Sequence, residues 1–228
     1  MRLPGGRAII AGILILTFAI PIIAYPVMPD RMASHWGFSG EVNGYMPKTW
    51  GLFLVPLISA GLALLLLLIP RIDPLKENIE RFRGTYEYFI IVILLFLLYI
   101  QALVILWNLG IRFNITQLLS PAMGALYYAC GVLIGRAKKN WFIGIRTPWT
   151  LSSERVWDRT HAIGGKLFRF AGILALGGVI FPGIAWLLML GPVLAITGYL
   201  VVYSFLEYQM EARERLEKGI IKGDIVKK

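Results

Sequence analysis

The sequence predicts an all-α fold: a polytopic membrane bundle of six transmembrane helices, with both termini cytoplasmic and short interfacial helices in the cytoplasmic loops. Three observations lead there. Hydrophobic residues fill 57% of the 228 positions and charged ones only 16%, which is more apolar surface than a soluble domain of that length can hide. Five long runs, at 8–29, 51–70, 88–111, 113–135 and 170–206, contain no charged residue. The 23 Lys and Arg residues gather at alternate ends of those runs.

Each of the first four runs is close to the ~20 residues that a helix rising ~1.5 Å per residue needs to cross ~30 Å of hydrocarbon. The first carries Pro21, Pro26 and Pro29 and no small-x-small cleavage motif, so it is expected to be a retained span and not a cleaved signal. The fifth run has 37 residues; as one helix it would measure roughly 55 Å, too long for any reasonable tilt. It has to turn back. Gly191-Pro192 is the expected corner, because glycine accepts turn dihedrals and proline cannot donate a helical hydrogen bond. The chain 1–228 then forms a single membrane domain with spans at about 8–28, 51–70, 87–108, 114–135, 167–188 and 192–208. The loop 29–50 lies outside the cell, and the loops 71–86 and 136–166 and the tail 209–228 lie inside.

Orientation follows from the cations. Arg2 and Arg7, four residues from Arg71 to Arg83, eight from Arg136 to Arg169 and six from Arg213 to Lys228 flank one side, against Arg31, Lys48 and Arg112 on the other. Positive residues stay cytoplasmic, which puts both termini inside. The formal charge of +10 is therefore a topology signal. Nucleic acid is not an expected direct partner, since these cations hug the bilayer and no binding module accompanies them. The single cysteine, Cys130, lies inside the fourth run and can form no intrachain disulfide.

Three polar segments remain. In the outer loop the glycines and Asn43-Gly44 favour tight turns, hence a small hairpin at the headgroups anchored by Trp36, Tyr45 and Trp50. Such a loop is either an interfacial cap or a recognition surface large enough for a peptide. After the second span, Asp73 as N-cap with Pro74 at the first helical position predicts a short amphipathic helix that puts Leu75, Ile79 and Phe82 on one face. The tail is expected to continue the sixth span as a helix to Gly219, supported by the pairs Glu211 with Arg215 and Glu214 with Lys218; 220–228 then lie mobile or at the membrane surface.

The third segment is a polar island between apolar runs, Asn140 through Thr150, followed by Trp157 and His161. Pro148 disfavours helix at Thr147, and the hydroxyls of Thr150, Ser152 and Ser153 suit a helix start just beyond. Glu154, Trp157, His161 and Gly165 then share one face leading into the fifth span. Amides around Gly144 with Arg146 form a candidate cradle for an anion; alternatively Arg146 pairs with Glu154 or Asp158 and staples the loop.

Catalytic chemistry finds little support. His35 and His161 are expected on opposite faces of the membrane, neither has a second ligand at metal spacing, and no nucleophile elbow or phosphate loop occurs. The expectation is no catalytic residue, no metal and no cofactor. The spans also lack the ionisable groups of ion-coupled carriers, and Gln101 and Asn108 are better read as bonding neighbouring helices.

His35-Trp36-Gly37 and 40–48 in the outer loop, Ile72-Asp73-Pro74 with Asn78, and Asn140, Gly144-Ile145-Arg146-Thr147-Pro148, Thr150, Trp157 and His161 occur in that order along most of the chain. This pattern resembles the SdpI family of toxin-immunity and signal-transduction membrane proteins. The resemblance implies a cell-membrane protein that senses an extracellular peptide toxin, or membrane stress, and presents a cytoplasmic surface to a transcriptional repressor. It implies an outer receptor surface at His35, Trp36, Gly40 and Lys48. It implies an inner docking or structural site at Asn140, Gly144, Arg146, Thr147, Pro148, Thr150, Trp157 and His161. Two alternatives stand beside it. A transporter or lipid-handling protein predicts a polar cavity reached by Gln101 or Asn108. An interfacial enzyme with His161 as general base predicts His161, Glu154 and Arg146 around a cleft.

Overall fold

A computed structural model describes residues 4–38 and 40–217. Among them six helices are long and apolar enough to cross a membrane: Gly6–Val27, Lys48–Ile72, Arg83–Asn108, Ile115–Ile134, Glu154–Ile180 and Pro182–Glu217. In chain order the elements are α1 (Gly6–Ala24), β1 (Arg31–Trp36), β2 (Val42–Pro47), α2 (Lys48–Ile72), α3 (Lys76–Glu80), α4 (Arg83–Asn108), α5 (Ile115–Ile134), α6 (Pro148–Ser152), α7 (Glu154–Ile180) and α8 (Ala185–Glu217). The protein is multi-pass, and its helices sort into two halves: α1, α2 and α4 pack together, as do α5, α7 and α8, with α4 against α5 as the main link.

The second half is drawn tight by glycine. A Cβ on Gly131 would lie 2.6 Å from the Arg169 amide nitrogen, and one on Gly172 2.6 Å from the Gly124 carbonyl oxygen. Without lipid-excluding hydrophobic force between membrane helices, close backbone approach supplies the packing energy. Residues bulkier than glycine would separate α5 from α7. In the first half, Ile10, Ile13, Ala63, Tyr86, Ile90 and Leu94 fill the interior, and Ile79 and Phe82 seal it at the end where α3 lies.

Local chemistry sets the element ends. Asn114 caps α5 by accepting from the Gln117 amide at 3.0 Å. Thr147 is extended as the sequence suggests and Ser153 caps α7 as expected, while Pro148 already opens the one-turn helix α6 that the sequence reading did not foresee. The pair Glu211 with Arg215 is present; Lys218, Gly219 and 220–228 lie outside the described residues.

Three expectations need correction. The corner in the fifth apolar run is at Phe181–Gly183, where Phe181 leaves the helix and Pro182 opens a short 3-10 turn, Pro182–Ile184; Gly191-Pro192 sits inside α8. The reason is length: the helix that runs from Glu154 into the fifth span is already 27 residues long at Ile180, enough to cross a bilayer. The residue before Pro182 is the one proline excludes from helix. Secondly, Asn43-Gly44 is not the hairpin turn. It lies in β2, Gly44 pairs with His35, and the turn is made by 37–41 with Gly40 at φ +86°. Thirdly, Asp73 caps no helix at Pro74. Its carboxylate takes the Leu75 amide at 2.6 Å and, across the sequence, the Trp141 amide at 2.9 Å, which leaves α3 as one turn.

Candidate functional site

The polar segments collect at opposite ends of the bundle. At one end the antiparallel hairpin β1–β2 lies over the ends of α2, α4 and α5. Its inner strand is held by one side chain: Asn108 Oδ1 accepts from the Ala33 amide at 2.8 Å while its Nδ2 donates to the Ala33 carbonyl at 3.0 Å. An amide thus completes the strand edge as another strand would. Sequence reading placed Asn108 among helix-bonding residues; its partner is the hairpin instead. Met32 and Ala33 are fully buried beneath it, and Trp36 stands edge-on to Trp107 with ring centroids 5.7 Å apart. Phe38 packs on Trp186 at the start of α8, so the hairpin touches both halves.

Between the hairpin and α2, α4 and α5 is a cavity of about 280 Å³. Its wall is largely apolar, with Trp36, Met46, Trp50, Leu54, Leu103 and Leu119, and it includes no charged residue. Trp36 Nε1–H is buried there without an acceptor among the described residues. Of the four outer residues named from the sequence, His35 and Trp36 line this cavity. Gly40 is in the turn, and Lys48 pairs with Asp30 at 3.2 Å and lies over the Tyr25 ring. His35 Nδ1 hydrogen-bonds Asn43 Oδ1 across the strands.

At the other end the island folds into a closed polar knot. Asn140 is wholly buried and makes four hydrogen bonds: Nδ2 donates to the carbonyls of Lys138 and Ile143, and Oδ1 accepts from the amides of Phe142 and Ile143. His161, 2% exposed, lies flat on Trp157 with centroids 3.9 Å apart. Its Nε2 accepts the Ile145 amide at 3.0 Å, so Nδ1 carries the proton and donates to the Trp157 carbonyl at 2.8 Å. Trp157 Nε1 donates to the Ala137 carbonyl at 2.9 Å. Gly144 has φ +121°, and a Cβ there would land on His161 Nε2, so both torsion and space call for glycine.

The remaining island residues are also engaged. Thr147 and Thr150 form a reciprocal capping box, Thr150 Oγ1 donates to the Ile145 carbonyl at 2.8 Å, and the Thr147 hydroxyl bonds that of Ser204 on α8 at 3.1 Å. Arg146 is exposed and donates to the Trp141 carbonyl at 2.8 Å; it staples the loop, but through a carbonyl and not through Glu154 or Asp158. Sequence reading passed over an adjoining ladder. Glu207, 2% exposed, takes Arg159 and, at 3.7 Å, Arg155; Arg155 also holds Glu214, and Ser153 donates to Glu211. Its signal was present, since Arg155 and Arg159 share a helix face, as do Glu207, Glu211 and Glu214. No group of three His, Cys, Asp or Glu side chains placed to hold a metal occurs among the described residues.

Residues 12–60, which contain the hairpin, match a domain of unknown function (DUF1648), and residues 136–204, which contain the island, match the SdpI/YfhL protein family. The chain is 25% identical to the immunity protein SdpI of Bacillus subtilis (strain 168) over 162 residues, covering 71% of this chain and 75% of that one. No solved structure matches.

Proposed function

We propose that this SdpI-family membrane protein receives an extracellular peptide toxin at its hairpin and protects the cell that carries it, while the island end, facing the cytoplasm, serves as a docking surface. The observation that carries the reading is the apolar cavity under the hairpin with the unpartnered Trp36 Nε1–H in its wall. A cavity of about 280 Å³ has room for one or two apolar side chains, and the buried Trp36 donor gains a hydrogen bond once a shift of the indole brings it to a peptide carbonyl. The similarity to an immunity protein supports the choice of a toxin as ligand. The excess of Lys and Arg at the island end supports a cytoplasmic placement of both termini in the cell membrane.

The docking surface is the outer skin of the island. Trp141 is 52% exposed, and Phe142 and Arg146 stand exposed beside it, an aromatic pair with a cation of the kind found at interaction hot spots. A cytoplasmic transcriptional repressor is the partner the family resemblance suggests. The carrier and enzyme readings draw less support. Asn108 is committed to the hairpin and Gln101 donates to the Leu52 carbonyl at 3.4 Å. Both His161 nitrogens are occupied, which leaves no lone pair for a substrate proton.

The test is toxin challenge of a sensitive host expressing the chain. Exchanging 31–47 for an unrelated hairpin of equal length is expected to abolish protection while membrane insertion is retained. Full protection after that exchange overturns the reading.

A further inference from the structure

A second recess lies at the island end, on the boundary between the two halves; His161 and Ala137 of the knot reach its wall, but neither the hairpin reading nor the docking surface uses it. It is an open cleft of about 850 Å³ between α3–α4 and α5–α7, with Arg81, Arg136 and Lys138 in its wall. Asp158 is the opposing charge there, and it is already engaged by Lys138 at 3.1 Å. Arg81 and Arg136 have no carboxylate within ion-pair distance among the described residues, although Arg136 donates to the Thr85 hydroxyl at 3.1 Å. The cleft therefore carries about two uncompensated positive charges, both guanidinium, the group that matches phosphate oxygens in pairs.

The cleft opens into an apolar groove. Tyr88 lines both the cleft and a recess of about 320 Å³ between α4, α5 and α7, whose other walls include Val92, Pro121, Ala125, Tyr128 and Ile173. The two recesses run along the same helix faces. On α5, Val132, Tyr128, Ala125 and Pro121 succeed one another at steps of four, three and four, and on α4 Thr85, Tyr88 and Val92 at three and four. From the level of Val132 to that of Pro121 is about 16 Å at the rise of a helix, roughly half the ~30 Å hydrocarbon thickness. The groove thus starts at a cationic interface and ends near mid-membrane.

We infer that this cleft and groove bind an anionic glycerophospholipid, the phosphate held by Arg81 and Arg136 and one acyl chain laid along Tyr88, Ala125 and Tyr128. The chemistry is complementary at both ends. A doubly cationic recess with an apolar extension one leaflet deep fits a charged headgroup with a tail, and neither a free anion nor a neutral lipid uses both parts. Tyr88, half in each, has the ring and hydroxyl suited to the junction of headgroup and hydrocarbon.

The experiment is native mass spectrometry of the full chain released from mixed micelles containing equal phosphatidylglycerol and phosphatidylcholine of the same acyl length. Phosphatidylglycerol is expected to be retained roughly fivefold or more over phosphatidylcholine, in line with the pull of cations at a membrane surface. Arg81→Gln with Arg136→Gln is expected to bring the ratio near one, and Arg81→Lys with Arg136→Lys to keep a preference, which separates charge from misfolding. Ala125→Trp, which fills the groove, is expected to lower retention with the charges intact. Equal retention of the two lipids by the unaltered chain overturns the inference, as does an unchanged ratio in the glutamine variant. Undiminished retention by Ala125→Trp, or displacement of the lipid by millimolar inorganic phosphate alone, overturns the groove and leaves a simple anion site.

Discussion

At the hairpin end a largely apolar wall encloses a cavity; at the island end most polar side chains close on backbone groups, Thr160 Oγ1 on α7 being buried without a hydrogen-bond partner among the described residues. Trp36 lines that cavity with its Nε1–H buried and unpartnered among the described residues, whereas Asn140 spends its amide on four backbone groups and His161 both of its nitrogens. A buried polar group is costly unless satisfied. The satisfied ones at the island therefore hold a loop in shape, and the cavity under the hairpin is the space that the proposed reception uses. The contrast sets a tightly bonded island against a hollow hairpin end.

Four measurements can break or sharpen it. Gly144→Ala should do the most damage, because the new methyl meets His161 at a backbone torsion that L-residues avoid; a loss of roughly 3 kcal/mol is expected in detergent unfolding. A stability within error of the parent would mean that the knot is not rigid. His161→Ala follows closely. It orphans the Ile145 amide and unstacks Trp157, a loss of about 2–3 kcal/mol. At the hairpin end, Asn108→Ala should cost about 1–2 kcal/mol, and the informative reading is local, as faster hydrogen exchange over 31–47 with the helices unchanged. The smallest stability effect belongs to Trp36→Phe, within ~0.5 kcal/mol because no bond is lost. That variant should nevertheless weaken toxin protection, and if it protects fully the unpartnered donor has no part in reception.

Much of the architecture was legible in the sequence, and its failures have a common cause. Charge-free runs indicated six spans, and Ser153 marked the start of α7, since these signals are local; the one-turn helix that Thr147 caps at Pro148 went unread. The corner was misplaced because the length of the fifth run was measured from its first apolar residue, whereas the helix that carries it starts at Glu154 and so ends at Ile180. Asp73 was misread because its better donor, the Trp141 amide, is far away in sequence. The candidate site was legible as segments only. His35 and Trp36 do share a cavity, but its other walls come from α2, α4 and α5, and Asn108 fastens a strand that no local pattern connects to it. Of the α8 glutamates that meet Arg155 and Arg159, Glu214 was read as supporting its own helix and Glu207 was passed over, for the same lack of tertiary information.

The glycine contact of α5 with α7 has a mechanical side. Two helices whose backbones touch leave no room for side chains to slide past each other, so the pair bears load as one strut. The α4–α5 boundary beside it has no such backbone contact among the described residues and is bridged by side-chain bonds such as Tyr99 to the Leu118 carbonyl and Arg136 to Thr85. The cavity under the hairpin and the cationic cleft sit at the two ends of that boundary.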